Sequence, residues 1–497
     1  MASSNNKSEY RSIFKATSIL GSVQLFNILI GIVRNKVVSL LLGPAGMGIV
    51  GLFTSTTSTI TGFTNCGLTI SAVKNVAVAY EKKDLDILGK VVYTVKKLLW
   101  ITGLFATAIC IVLSKQLSIW SFGNDDFALS FCCLSISLLF TQLTSGNQMI
   151  IKACRQIKMY AKANVLGNFL SLFITVPLYF VWGVDAIVPV LVLLSLSTFA
   201  CSYYYQRKLL IREVRPETLE FKNISWDIFK IGIAIAAAEL FPVCSSYYIR
   251  IFISNEGGLS DVGLFSAGFA ILNGYVGMIF TAMSSDFVPR LSAIVDDNKA
   301  CQATINNQIR IAALILLPIL SLLIVFSKLI VLTLYSSEFV PIVGMIMWGA
   351  VGMYLRSSDW AMGCLFVPKR ESKAYFILSI VSVILYLSLN VSCYLLWGIT
   401  GFGVALLLNH FISVIIDYIY MKWKFNVIYE YDVVCYNLMG IVFFITLICL
   451  NNNSFNISQI YTYILDGIAL VSVSLFCLYK LNMYMDLKSF IMSKIKK

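Results

Sequence analysis

The chain of 497 residues is 58% hydrophobic and only 13% charged, against roughly 45–50% and 25% in an ordinary soluble protein, which excludes a disordered chain and a typical water-soluble globule. Its 13 cysteines fall almost wholly inside apolar runs with no Cys-x-x-Cys pair, and His410 is the single histidine, so neither a disulfide framework nor a clustered metal site is expected and no cofactor is implied. The net charge of +13, beside a mean hydropathy of +0.82, reads as membrane topology and not as a nucleic-acid footprint, because basic residues sort to one side of a bilayer.

Apolar stretches of about 20 residues, enough to cross a bilayer, recur along the whole chain, and fourteen are expected. They run near 15–42, 46–72, 91–113, 126–151, 160–181, 185–206 and 226–252, then 259–284, 303–326, 338–367, 373–396, 400–422, 434–450 and 459–479. The loops left over have no room for a soluble domain. The first span follows Lys7, Arg11 and Lys15 without a small-residue cleavage site, so it reads as a retained helix and not as a removed signal peptide.

With the N-terminus placed in the cytoplasm, 32 of the 38 Lys and Arg residues fall on the inner side, which puts both termini inside. The six exceptions are Arg34, Lys36, Lys115, Arg250, Lys328 and Arg356.

Val50-Gly51-Leu52-Phe53 recurs as Val262-Gly263-Leu264-Phe265, a shift of 212, and Trp182-Gly183-Val184 recurs as Trp397-Gly398-Ile399, a shift of 215. Two matches at nearly one offset imply a repeat. The expected architecture is an all-α polytopic membrane protein with two parallel six-helix lobes around a central cavity and two extra C-terminal helices. Its parts are an N-lobe at 1–206, a cytoplasmic linker at 207–225, a C-lobe at 226–422, the added pair at 434–480 and a basic tail at 481–497. Parallel repeats of this kind are built for transport, with the substrate between the halves.

The run Gly31-Ile32-Val33-Arg34-Asn35-Lys36, then Leu41 to Gly48 and the Val-Gly-Leu-Phe segment, resembles the start of O-antigen translocases. So does Ala163-Asn164-Val165-Leu166-Gly167, followed by Pro177-Leu178-Tyr179 and Trp182-Gly183. These translocases belong to the multidrug, oligosaccharidyl-lipid and polysaccharide exporter superfamily, and the resemblance covers about 12–480. It implies a flippase for undecaprenyl-diphosphate-linked oligosaccharide in a bacterial inner membrane. A related branch for the peptidoglycan precursor carries a further arginine in its eighth helix, where this chain has Phe269.

Gln24, Asn27 and Arg34 share one helical face of the first span. A guanidinium at depth costs several kcal/mol unless it faces water or an anion; the alternative is that the helix ends near Val33 and Arg34 sits among headgroups. Arg250 stands at a comparable place before the second Val-Gly-Leu-Phe, so each lobe offers one arginine. Planar guanidinium donors suit phosphate, and the pair would hold the diphosphate that the resemblance supplies. The second span carries eight hydroxyls between Thr54 and Thr64, including Thr57, and then Asn65. Either they bond back to their own helix or some present a polar wall to sugar.

Four carboxylates lie at membrane depth: Glu239, Asp359, Asp417 and Asp466. Such acids are candidates for coupling to H+ or Na+, and Glu239, without a cation one turn away, ranks first. Arg356 is the i,i+3 neighbour of Asp359, so the two would neutralise each other. His410 and Asp417 share a face of the twelfth span but stand seven apart, too far for direct contact. His410 reads either as a proton relay or as a histidine hydrogen-bonded within the bundle. The basic tail and the stretch Glu81 to Lys97 would lie on anionic inner-leaflet lipid.

The leading expectation is thus a flippase working by ion-coupled alternating access, with membrane lipids around it and no nucleic-acid partner. A cation-coupled multidrug antiporter of the same fold is the alternative, and paired arginines argue against it. A membrane polysaccharide polymerase or glycosyltransferase would need a large extramembrane segment, which the chain lacks, so no enzyme is expected.

Overall fold

A computed structural model describes the backbone of residues 2–451 and 459–485. It describes side chains from residue 21 onward within these, except at 231, 234, 235, 237–239, 372, 459, 460, 462, 463 and 485. Among the described residues every regular element is a helix. Eleven stretches among the described residues are long and apolar enough to cross a membrane, and two of them, Gly21–Asn65 and Ile157–Arg207, are each broken by a glycine of positive φ, Gly43 and Gly183. The all-α polytopic architecture is therefore present; the figure of fourteen crossings stays the sequence's expectation. Only 11% of the most apolar window in Lys373–Trp397 and in Ile464–Tyr484 is buried in protein. Apolar surface on that scale is the face a helix turns to lipid.

The chain divides into two compact units, Met1–Gly263 and Leu264–Lys497. The lobe boundary expected at 207–225 marks the sequence repeat, which is a different division from this one by packing.

The first unit holds α1 (Ala2–Asn65), α2 (Leu68–Glu81), α3 (Leu85–Val112), α4 (Ser114–Phe122), α5 (Ala128–Ala153), α6 (Ile157–Trp182), α7 (Ile187–Arg207), α8 (Thr218–Glu256) and the start of α9 (Gly258–Phe269). Gly43, at φ 63° and ψ −169°, kinks α1 into two helical segments, and Pro44 follows it, where a missing N–H does no harm at the start of a helical segment. Val76, Val92, Leu99, Ile150 and Ile228, none more than 1% exposed, knit α2, α3, α5 and α8 into one core. The backbones of α1 and α9 touch through glycine: a Cβ on Gly48 would fall 1.9 Å from the Leu259 carbonyl oxygen, and one on Gly263 1.9 Å from that of Pro44. Small residues permit this approach in lipid, where apolar burial does not drive helices together.

The second unit continues from α9 through a π-helical turn, Ala270–Val276, into α10 (Gly277–Ala293). It goes on with α11 (Asn298–Val325), α12 (Ser327–Leu334), α13 (Val343–Gly363), α14 (Ser372–Trp397), α15 (Ile399–Phe425), α16 (Tyr431–Asn451) and α17 (Gln459–Met485). Glycines again set the closest contact. A Cβ on Gly403 would meet the Met345 carbonyl oxygen at 2.4 Å and one on Gly352 the Leu407 nitrogen at 2.8 Å, so α13 lies directly against α15. At the end of α15, Lys424 (2.6 Å) and Tyr420 (3.0 Å) both bond Glu371, and the Lys424 ammonium holds that carboxyl below its ordinary range.

The two Trp-Gly motifs take alike backbone forms, and other helix ends match them in pairs. Gly183 (φ 54°, ψ −126°) ends α6 after an exposed Val181-Trp182, and Gly398 (φ 56°, ψ −140°) ends α14 after an exposed Leu396-Trp397. The Asp84 carboxylate caps α3 by accepting from Asp86 and Ile87 N–H, and Asp297 caps α11 by accepting from Lys299 and Ala300 N–H. Arg155 and Arg370 take φ 56° and 58° in the turns before α6 and α14.

Candidate functional site

In the second unit the close approach of α13 and α15 brings two acids and the histidine together. Nδ1 of His410 lies 2.9 Å from Oδ2 of Asp359, and the side chains of Asp359 and Asp417 share a hydrogen bond. His410 is 9% exposed. His410 and Asp417 do not touch along their own helix, as their spacing implies; Asp359, from the facing helix, bridges them. Tyr429 stands within electrostatic reach of both carboxyls, its ring stacked on Tyr418 at 5.1 Å and its hydroxyl donating to the Ser358 carbonyl at 3.4 Å. The cluster therefore brings three titratable groups from two facing helices into contact.

Arg356 does not neutralise Asp359 by direct pairing as the i,i+3 spacing suggested. Its Nη1 donates to Asn273 Oδ1 at 3.1 Å, and its guanidinium sits over the Phe280 ring at 5.1 Å. Arg356 acts on Asp359 electrostatically, while its donor reaches the π-helical turn. π-turns of this kind recur at functional sites.

In the first unit α1 runs on as helix past Val33 to the break at Gly43. Arg34 thus lies nine residues before the turn, about 13 Å along the helix axis, and the reading in which the helix stops at Val33 is set aside. Along the same face, Asn27 donates to Asn164 Oδ1 at 2.6 Å, and Asn168 donates to Asn27 Oδ1 at 3.0 Å and to Asn164 Oδ1 at 3.1 Å. Gln24 is exposed, and Gly31, between Asn27 and Arg34, has open space where a Cβ would project. Arg34 is half-buried and acts electrostatically on the Tyr179 phenol of α6. Asn168 escaped the sequence reading, although its i,i+4 spacing from Asn164 was a signal.

The hydroxyls after Gly43 bond back to their own helix, as the first of the two readings has it. Thr54, Thr56, Thr57, Thr59, Thr61 and Thr64 all donate to carbonyls of their own helix. Yet Thr54, Thr57, Ser58 and Thr61 form the more open face, while Thr56, Thr59 and Thr64 are buried. Asn65 donates to Thr69 Oγ1 at 3.2 Å. Arg250 donates from Nη1 to the Ser246 carbonyl at 3.0 Å and to the Ser246 hydroxyl. The Glu239 side chain and the basic tail at 488–497 lie outside the described residues. Asp466, 1% exposed, accepts from Asn451 at 3.3 Å.

A family model described as polysaccharide biosynthesis protein matches residues 37–344, and one described as lipid II flippase MurJ matches 262–466. No match is found among curated proteins. The chain is similar to a solved lipid II flippase MurJ in an inward closed conformation, with TM-score 0.70 and 13% identity over 94% of this chain and 99% of that one. It is similar to an inward-facing multidrug resistance MATE family transporter of the MOP superfamily, with TM-score 0.69 and 15% identity over 82% and 98%. A MOP superfamily transporter from Pyrococcus furiosus, described as having a binding pocket of reverse polarity, gives TM-score 0.60 and 15% identity over 83% and 96%. What is shared at such identities is the fold, that of the MOP superfamily transporters.

Proposed function

We propose a function from the premise that the chain belongs to the polysaccharide biosynthesis protein family: it is a flippase for polyprenyl-diphosphate-linked oligosaccharide, an O-antigen or similar repeat unit, and it works by alternating access. The single observation that carries this reading is Arg34, on a continuous helix one turn from the open space at Gly31 and two turns from Asn27, whose amide bonds those of Asn164 and Asn168. A guanidinium offers two parallel donors to a phosphate. The amides and the Thr57 face supply hydrogen-bonding partners for sugar. Arg250 is the second phosphate contact in this reading. A cationic drug would meet repulsion at Arg34, which disfavours a multidrug antiporter.

Movement is driven by H+ or Na+ bound at Asp359, His410 and Asp417, with Glu239 as a further coupling acid. The substrate undergoes no covalent change. The protein lies in a bacterial inner membrane with both termini in the cytoplasm. The test is translocation of a lipid-linked oligosaccharide in proteoliposomes, read by exposure of the sugar to an external lectin. Wild type should expose it and Arg34→Gln should fall by tenfold or more. Equal rates in the two would contradict the reading.

A further inference from the structure

A second feature of the first unit lies away from these residues. A cleft of about 1150 Å³ opens between α3, α7 and the segment that follows α7. Its charges do not balance. Lys96 donates to Gln206 Oε1 at 2.8 Å and pairs with Glu213 at 2.6 Å, which ties the segment after α7 to α3 and uses the one acid in the lining. The other charged lining residues, Lys97, Arg207 and Arg212, are all basic and all exposed.

The depth of these cations follows from the sequence. Lys97 immediately precedes an uncharged stretch of α3 at 98–112, and Arg207 ends one of α7 at 187–206. Both therefore stand where the apolar part of a membrane-crossing helix gives way to water. Trp100, 48% exposed, and Tyr203, 39% exposed, sit about one turn further in and face the same cleft. Indole and phenol rings prefer the glycerol level of a bilayer, with one edge polar and one apolar. The order from water inward is thus cations, then amphipathic rings, then apolar helix. A phospholipid presents the complementary order of phosphate, glycerol and acyl chain.

We propose that this cleft is a binding site for the headgroup of an anionic phospholipid, taken from the leaflet on the Lys- and Arg-rich side of the membrane. Lys97, Arg207 and Arg212 meet the phosphate, while Trp100 and Tyr203 flank the glycerol. A headgroup that carries its own ammonium or choline would bring a cation into a site that already holds three. Inorganic phosphate would find the charges but not the rings. The cleft takes this headgroup whichever cargo the transporter moves.

The test uses the purified full-length protein with phosphatidylglycerol, phosphatidylcholine and inorganic phosphate as probes, and native mass spectrometry to read retained lipid. Wild type should retain phosphatidylglycerol about tenfold more strongly than phosphatidylcholine, and Lys97→Gln with Arg212→Gln should abolish that preference. The pair Lys97→Arg with Arg212→Lys keeps the charge and should keep the preference, which separates loss of the site from loss of the fold. Equal retention of the two lipids by wild type, or an undiminished preference in the Gln pair, would overturn the proposal. So would displacement of phosphatidylglycerol by inorganic phosphate, or by a polyprenyl diphosphate at a tenfold lower concentration, which would give the cleft to the free anion or to the carrier lipid.

Discussion

Asp359 on α13 and His410 on α15 meet at 2.9 Å across two helices whose backbones touch through Gly352 and Gly403. The hydrogen bond of Asp359 to Asp417 extends this contact into a chain of three titratable groups at membrane depth. Groups joined in this way share their interactions and do not act as independent sites.

The first prediction follows from that sharing. If the three groups hold one coupling ion, Asp359→Asn and Asp417→Asn should each reduce transport by about tenfold or more, and the double replacement should be little worse than either single one. Transport by proteoliposomes under an imposed pH or sodium gradient reads this. Full additivity of the two losses would mean that the acids act separately.

A second prediction uses the open position on the first helix. Gly31 has no atom within 4 Å of where its Cβ would stand, so Gly31→Ala should leave transport unchanged and should stabilise by about 0.5–1 kcal/mol. Gly31→Phe should fold and insert but block transport, because its ring would occupy the space between Asn27 and Arg34. A Gly31→Phe protein as active as wild type would show that this space is not part of the substrate path.

The repeated turns give a stability prediction. Gly183 has nothing within 4 Å of a would-be Cβ, as does Gly274, but only Gly183 has positive φ. Gly183→Ala should therefore lower stability by about 1–3 kcal/mol through backbone strain alone, and Gly274→Ala should change little. Thermal unfolding of the purified variants, followed by intrinsic fluorescence, checks the difference.

Orientation is tested by labelling. Lys328 and Lys208 are both exposed, and the distribution of Lys and Arg puts them on opposite sides of the membrane. In a cysteine-free background, an impermeant thiol reagent added outside should modify Lys328→Cys and spare Lys208→Cys. The reverse pattern would invert the topology.

The helices and their repeat were legible because both are local. Apolar runs declare a membrane helix, and Trp182-Gly183 and Trp397-Gly398 show at once a ring at the interface and a turn that only glycine enters easily. The break at Gly43 was legible too, in Gly43-Pro44, and it ends the helical segment that carries Arg34. Tertiary contacts were less so. Spacing paired Arg356 with Asp359 because they are one turn apart, yet the guanidinium turns to Asn273, 83 residues away in sequence. The partner that joins His410 to Asp417 stands 51 residues from His410 on another helix, and no periodicity in one helix reports what faces it.

The central claim is that Arg34 contacts the diphosphate of a lipid-linked substrate. Its most direct test is equilibrium binding of a polyprenyl diphosphate to purified wild type, Arg34→Lys, Arg34→Gln and Arg250→Lys. Lysine keeps the charge but not the planar two-donor fork. Affinity should therefore fall in Arg34→Lys and fall further, by roughly tenfold to a hundredfold, in Arg34→Gln, with Arg250→Lys also weakened. Equal affinity in all four proteins would mean that these arginines anchor their helices in the membrane and do not touch the substrate.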